Sequence, residues 1–242
     1  MENYKCIYVL TSILLSVKTD LLDSVDKDEM TKVITLCTTK GGTSKTSLTA
    51  SLLSYWHGQK RLVAAVDADP NCNLTRWLDK GSLKDIPHKA ETDEGQIIEA
   101  VENISGEREI VLVDVAGFGN QSMVYAIGIS SLVIIPSRPS EDDVLEALKT
   151  KQVVTNAAKL TRRDIPYRVV LTQVKAGTLV IEHTLKQFQA FNVPLFNTVI
   201  ASRTIYQTSR FSGETPVSAE PQGKAAKEIT ALAKEIEVQL SL

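Results

Sequence analysis

Four stretches of the chain are apolar at nearly every residue: KVITLCT (Lys32–Thr38), RLVAAVDAD (Arg61–Asp69), IVLVDVAG (Ile110–Gly117) and SLVIIPS (Ser131–Ser137). A strand with one wet face alternates apolar and polar residues, whereas a strand buried on both faces runs continuously apolar. Segments of helical spacing stand between them. LTASLLSYW carries Leu48, Leu52, Leu53 and Trp56 on one face and ends near Gly58; QIIEAVENI (Gln96–Ile104) and residues 141–160 follow. A strand at YRVVLTQV (Tyr167–Val174), a helix over 179–191, a last strand at PLFNTVIA (Pro194–Ala201) and a closing helix over 225–240 complete the reading. The alternation predicts an α/β fold, a mostly parallel sheet covered by helices on both faces.

A chain of 242 residues, 43% hydrophobic and 23% charged, is large enough for one sizeable core. No linker, repeat or low-complexity block divides residues 30–242, which read as one domain. Residues 1–29 form an extension of uncertain structure. Its apolar run IYVLTSILLSV is too short to span a bilayer, and acidic residues follow it where a cleavage site would be needed. It reads as a loosely attached extension or a start upstream of Met30, with a partner-binding or membrane-surface helix as the alternative. A net charge of −2 supplies no global attraction to nucleic acid, although a balanced total can hide a basic face. Cys6, Cys37 and Cys72 form no CxxC pair, so they suggest neither a disulfide framework nor a zinc site, and a reducing, cytoplasmic setting fits.

In parallel sheets ligands bind beyond the carboxyl ends of the strands, and the unusual residues lie at those ends. TTKGGTSKTS follows the first strand, Asp67 and Asp69 end the second, and Asp114 and Gly117 end the third. The loop fails the common pattern G-x-x-x-x-G-K-[ST], because Thr39 and Ser44 stand where its glycines belong. A strand-to-helix loop still offers unpaired N–H groups and the positive end of a helix dipole. Gly41 and Gly42 would let that backbone, through Thr43, Ser44 and Ser47, approach phosphate oxygens. Lys45 would reach the β- and γ-phosphates, the Thr46 hydroxyl would ligate Mg²⁺, and Asp114 would hold the metal's water shell.

KGGTSKTS, VDADPNCNLTRW and IVLVDVAG resemble the deviant Walker A, A′ and Walker B motifs of ParA/MinD-type ATPases, P-loop NTPases of the SIMIBI type. The resemblance covers residues 30–242 and is nearest to the short, ParF-like ParA proteins of plasmid partition. It implies a weak, Mg²⁺-dependent ATPase that forms a homodimer on binding ATP, attaches to DNA non-specifically, and is released when a small ParB-like centromere-binding partner stimulates hydrolysis. Lys40 would be the signature lysine that reaches the partner subunit's nucleotide, and Asp69 would position the attacking water. Lys45 would serve the phosphates, Thr46 the metal directly, and Asp67 and Asp114 the metal and its waters. DNA would meet Arg203, Arg210, Lys224 and Lys227, with Arg162 and Arg163 further back, and the location would be cytoplasmic and nucleoid-associated.

Two positions depart from the family pattern. Ser44 replaces a glycine; if that position needs a positive φ, serine costs about 1–2 kcal/mol of strain and should slow turnover. Thr172 and Gln173 occupy the region where relatives read adenine with an asparagine, so the resemblance alone favours ATP over GTP. Three rivals share the loop. A MinD-like membrane switch would need a basic amphipathic C-terminal helix, but KAAKEITALAKEIEVQLSL mixes lysines with glutamates and reads as a docked helix without stable membrane association. A P-loop metabolic synthetase or kinase would use the 116–121 loop for its substrate. A nucleotide-dependent scaffold with negligible hydrolysis is the reading that Ser44 keeps open. A nitrogenase-iron-protein role lacks the cysteine it would need after Asp114.

Overall fold

The computed structural model describes residues 31–117, 121–175, 177 and 179–242. The reading of residues 1–29 lies outside them. Six described strands, β1 (Lys32–Leu36), β2 (Val63–Ala68), β3 (His88–Ala90), β4 (Ile110–Val115), β5 (Leu132–Ser137) and β6 (Tyr167–Leu171), form one parallel sheet. Their order is β3-β2-β4-β1-β5-β6. The helices are α1 (Lys45–Gly58), α2 (Asn73–Leu78), α3 (Ile97–Ser105), α4 (Gln121–Gly128), α5 (Glu141–Thr161), α6 (Leu179–Ala190), α7 (Ile205–Phe211), α8 (Pro216–Ala219) and α9 (Lys224–Leu240).

The unbroken apolar runs have the expected cause. Along β1, Ile34 and Leu36 enter a core with α1 and α9, while Val33 and Cys37 enter a second core on the opposite face. In β4, Ile110 and Leu112 face the first core and Val111, Val113 and Val115 the second. Helix α9 turns Ile229, Leu232, Ile236 and Leu240 into the first core. The Trp56 Nε1–H of α1 donates to Glu237 Oε1 at 2.9 Å. The apolar face that a lipid anchor would use is therefore occupied by the protein's own core, as the mixed polar face of this helix led us to expect. No helix among the described residues is long and apolar enough to cross a membrane.

The expected last strand at Pro194–Ala201 is a correction: the segment makes only isolated parallel bridges, Leu195 to Val169 and Ala201 to Val174. The interruption has a local cause. Glu235 on α9 accepts from the amides of Asn197 at 2.8 Å and Thr198 at 2.7 Å; amides alternate along a strand, so the Thr198 donor is the one diverted from the ladder that Phe196 makes with Val169. The sequence reading also missed β3, α2, α4, α7 and α8, all short.

Because the strands are parallel, their carboxyl ends share one edge of the sheet. Across that edge, at about 4.8 Å per strand, lie Asp67 and Asp69 at the end of β2, Asp114 of β4 with Gly117 just beyond it, the loop after β1, residues 138–143 after β5, and Thr172 and Gln173 after β6. Asp67 and Asp114 are direct register neighbours, as are Leu36 and Asp114.

Candidate nucleotide site

Residues 41–47 leave β1 and enter α1, a 14-residue helix with no acidic side chain in its first turn. Its N-terminus therefore presents uncompensated N–H groups and a positive dipole end, suited to an anion. A Cβ built on Gly41 or on Gly42 (φ 76°) would meet no protein atom within 4 Å, so open space lies over the loop. Gly117 has the opposite constraint: its Cβ would stand 2.9 Å from the Lys40 carbonyl oxygen. The end of β4 can lie this close beneath the loop because residue 117 has no side chain. Ser44 has φ 73° and ψ 21°, so the position does demand a left-handed backbone, the condition under which its strain was expected.

The two lysines of the loop face different ways. Lys45 is 8% exposed, and its Nζ finds only the Lys40 carbonyl at 3.5 Å. Burial lowers its pKa, while Asp114, Cys37 and Asp69 work against that shift. Such a cation is weakly compensated and aimed at the cleft. Lys40 instead forms an ion pair with Asp143 Oδ2 at 3.3 Å, with side-chain exposures of 31% and 2%. Asp143 also accepts from Arg138 Nε at 3.2 Å and from the Ser140 hydroxyl. Burial opposes ionisation of Asp143, but the Ser140 and Arg138 hydrogen bonds and the neighbouring charges hold its carboxyl below the usual range. Thr39 is tied to the same helix, its hydroxyl donating to Glu146 Oε2 at 2.6 Å.

The acidic side of the site is built from β2 and β4. Asp114 Oδ2 accepts from the Thr46 hydroxyl at 2.6 Å, while its Oδ1 is buried with no partner. Burial pushes the Asp114 carboxyl up to about 7, with Asp67 and Asp69 adding repulsion and Thr46 and Lys45 opposing it. An orphaned carboxylate oxygen beside a hydroxyl, in a cluster short of positive charge, fits a divalent cation. No group of three His, Cys, Asp or Glu side chains among the described residues could hold a metal. That suits Mg²⁺, which takes most of its ligands from water and phosphate. Asp67 has less to spare: its Oδ1 accepts from the Asp69 amide at 3.2 Å and its Oδ2 from the Thr75 amide at 2.8 Å. It therefore braces the turn that presents Asp69. Asp69 lines the cleft, with Asn71 donating to its Oδ1 from both backbone and side chain.

The cleft, about 1490 Å³, is lined by the loop, Asp69, Gly117 and Gln173. Tyr206, Phe211 and Lys80, which sequence reasoning missed, also line it, together with Arg203 and Arg210. Arg203 is paired with Glu228, and the Arg210 guanidinium lies 5.0 Å from the centre of the Trp77 ring. Two of the four predicted DNA contacts thus face the same cleft as the loop. The other two, Lys224 and Lys227, are exposed on the first turns of α9 beside Glu228. Arg163 donates to the Gly128 carbonyl at 3.2 Å, and Arg162 ends α5. The predicted base readers turn toward the loop: the Thr172 hydroxyl donates to the Thr43 carbonyl at 3.1 Å, and Gln173 Nε2 to the Gly42 carbonyl at 2.8 Å. Cys37 is fully buried and its thiol is pushed up to about 12, which leaves it inert. Residues 118–120 of the loop offered to a metabolic substrate lie outside the described residues.

Residues 31–232 match the family described as VirC1 protein. Protein ParA of Rhizobium radiobacter is 28% identical over 202 residues, covering 81% of this chain and 90% of that protein. Among solved structures, apo McdA of Cyanothece superposes with a TM-score of 0.71 at 17% identity, covering 85% of this chain and 99% of that one. MinD of Pyrococcus horikoshii in complex with Mg-ADP gives 0.70 at 20% identity, covering 86% and 96%. The chain therefore belongs to the VirC1 family, of the ParA/MinD type of P-loop ATPases.

Proposed function

We propose that the protein is an ATP-driven switch of the partition or positioning type, in which the bound nucleotide decides whether two copies associate. The observation that carries this reading is the outward-facing Lys40 beside an inward-facing, undercompensated Lys45. A monomeric hydrolase needs only the second. ATP fits the cleft, with the loop N–H groups and Lys45 for the phosphates and Thr46 and Asp114 placed to hold Mg²⁺, and the similar MinD structure is a complex with Mg-ADP. Held by Thr46 and Asp114, Mg²⁺ would supply positive charge against the charge that develops on the phosphates. Asp69, held by Asn71, would orient the attacking water, and Lys40 of a second copy would stabilise the transferring phosphoryl group. The dimer would bind DNA through phosphate contacts, with Lys224 and Lys227 on its exposed basic surface and Arg203 and Arg210 nearer the nucleotide. Hydrolysis, stimulated by a small ParB-like partner, would release it from the nucleoid, with a plasmid or similar element as cargo.

The test is ATP turnover measured alone, with DNA, with a candidate partner and with both, in wild type, Lys40→Ala and Asp69→Ala. Stimulation by DNA and partner together, lost in both variants, is expected. DNA-independent activity that persists in Lys40→Ala would refute the dimer switch. A requirement for a small-molecule co-substrate would instead favour a metabolic enzyme.

A further inference from the structure

The left-handed backbone at Ser44 is matched by a second one at Gln173, with φ 52°. Non-glycine residues seldom adopt this region, and here the two are joined: Gln173 Nε2 donates to Ser44 Oγ at 3.0 Å as well as to the Gly42 carbonyl at 2.8 Å. The side-chain amide cannot be reversed, because a carbonyl oxygen facing the Gly42 oxygen would find no hydrogen between them. Both hydrogens on Nε2 are therefore committed to the loop. With the Thr172 hydroxyl on the Thr43 carbonyl, one strand end holds three consecutive residues of the loop. Glycine at position 44 would relieve the strained φ and remove one of the two acceptors that Gln173 uses.

We infer that Gln173 is a positioning residue for the phosphate-binding loop and that Ser44 is its partner. The amide fixes the Gly42 carbonyl and the Ser44 hydroxyl, and Thr172 the Thr43 carbonyl, so that these acceptors are turned to β6 and the loop N–H groups stay free for the cleft. The serine that breaks the family pattern is in this account one half of a clamp whose other half stands where relatives read the base. The inference rests on the loop being a phosphate site.

A double-mutant cycle tests it: wild type, Ser44→Gly, Gln173→Ala and the double variant, together with Gln173→Glu, which keeps the size but removes both donors. Binding of a fluorescent ATP analogue with Mg²⁺, ATP turnover at saturation and Tm are measured for each. Gln173→Ala and Gln173→Glu should each weaken analogue binding about five- to tenfold, consistent with two lost hydrogen bonds, with Tm unchanged. In the Ser44→Gly background the Gln173→Ala penalty should shrink by about threefold, the coupling expected of residues in contact. Unchanged affinity in both Gln173 variants, or an equal penalty in both backgrounds, would overturn the clamp alone. If Lys45→Ala also left binding untouched, the phosphate site itself would fall, and the clamp with it.

Discussion

In the proposed switch Lys40 must leave its own subunit to serve another, and in this structure it is held at home by Asp143. Asp143→Asn removes that charge while keeping the side-chain size and the Asp143 amide that Ser140 caps at 3.2 Å. At the observed 3.3 Å, Coulomb attraction is about 1 kcal/mol in water and about 5 at an effective dielectric constant of 20. Lys40 is about a third exposed and Asp143 is shared with Arg138, so the lower figure applies, about 1 kcal/mol. Each symmetric dimer frees two Lys40 side chains, about 2 kcal/mol in all, so ATP-dependent dimerisation should tighten about thirtyfold. Sedimentation analysis with ATP, in an Asp69→Ala background to slow hydrolysis, reads this directly. The gain should vanish when Lys40→Ala is added, since Asp143 then has nothing to withhold. A dimer that is unchanged or weaker in Asp143→Asn, with Tm retained, would show that Asp143 does not compete for Lys40.

Other elements give sharper structural readouts. Gly117→Ala places a methyl 2.9 Å from the Lys40 carbonyl oxygen and must displace the loop; binding of the ATP analogue should fall about tenfold with little change in Tm, as the strain falls on the loop. Glu235→Gln weakens the acceptor for the Asn197 and Thr198 amides and should cost about 2 kcal/mol, or about 4–8 °C in Tm for a domain of this size. Burial raises the Glu235 pKa, but the Thr198 hydroxyl, the two amides and the Arg168 charge outweigh it and hold it below 4.5. Its folded pKa is thus depressed, so its stabilisation is present above pH 4.5 and lost as pH falls through the folded value; the Tm difference from Glu235→Gln should close on acidification. Lys224→Ala with Lys227→Ala should weaken DNA binding and lower its salt slope by about 2 while leaving nucleotide affinity intact, measured by titrations at several salt concentrations.

What could be read from the sequence followed from burial on two faces. Runs such as IVLVDVAG had no other stable use, and the residues terminating them fell on one edge of the sheet once the strands were taken as parallel. Short elements escaped because three residues of β3, only partly buried, leave no period to read. Pro194–Ala201 has the composition of a strand, but a carboxylate 37 residues from Thr198 along the chain takes that residue's amide. The cap Ser140-x-x-Asp143 is legible as a helix start; its meeting with Lys40 is not, because β5 lies beside β1 only through long-range pairing. Ser44 was legible as an anomaly and its consequence was not, since Gln173 lies 129 residues away.

These contacts together divide the loop by direction. Its inner side is tied to β4 through the Thr46 hydroxyl on Asp114, with Lys45 Nζ against the Lys40 carbonyl; its outer side, Thr39 and Lys40, is tied to α5 through Glu146 and Asp143; its turn, residues 42–44, is tied to β6. A ligand that neutralises Asp114 and Lys45 alters only the first attachment directly. That event can reach Lys40 through the Lys45 Nζ contact with its carbonyl or along the backbone between residues 40 and 45, which Gly117 contacts from below and Gln173 holds from the side. The loop can therefore move as a unit only if one of those two restraints yields. Gln173, whose side chain is reachable from the cleft, is the one that an incoming nucleotide meets, whereas the glycine contact is backbone against backbone. Loosening of Gln173 should accordingly shift the nucleotide dependence of dimerisation, and displacement by Gly117→Ala should depress it at every nucleotide concentration.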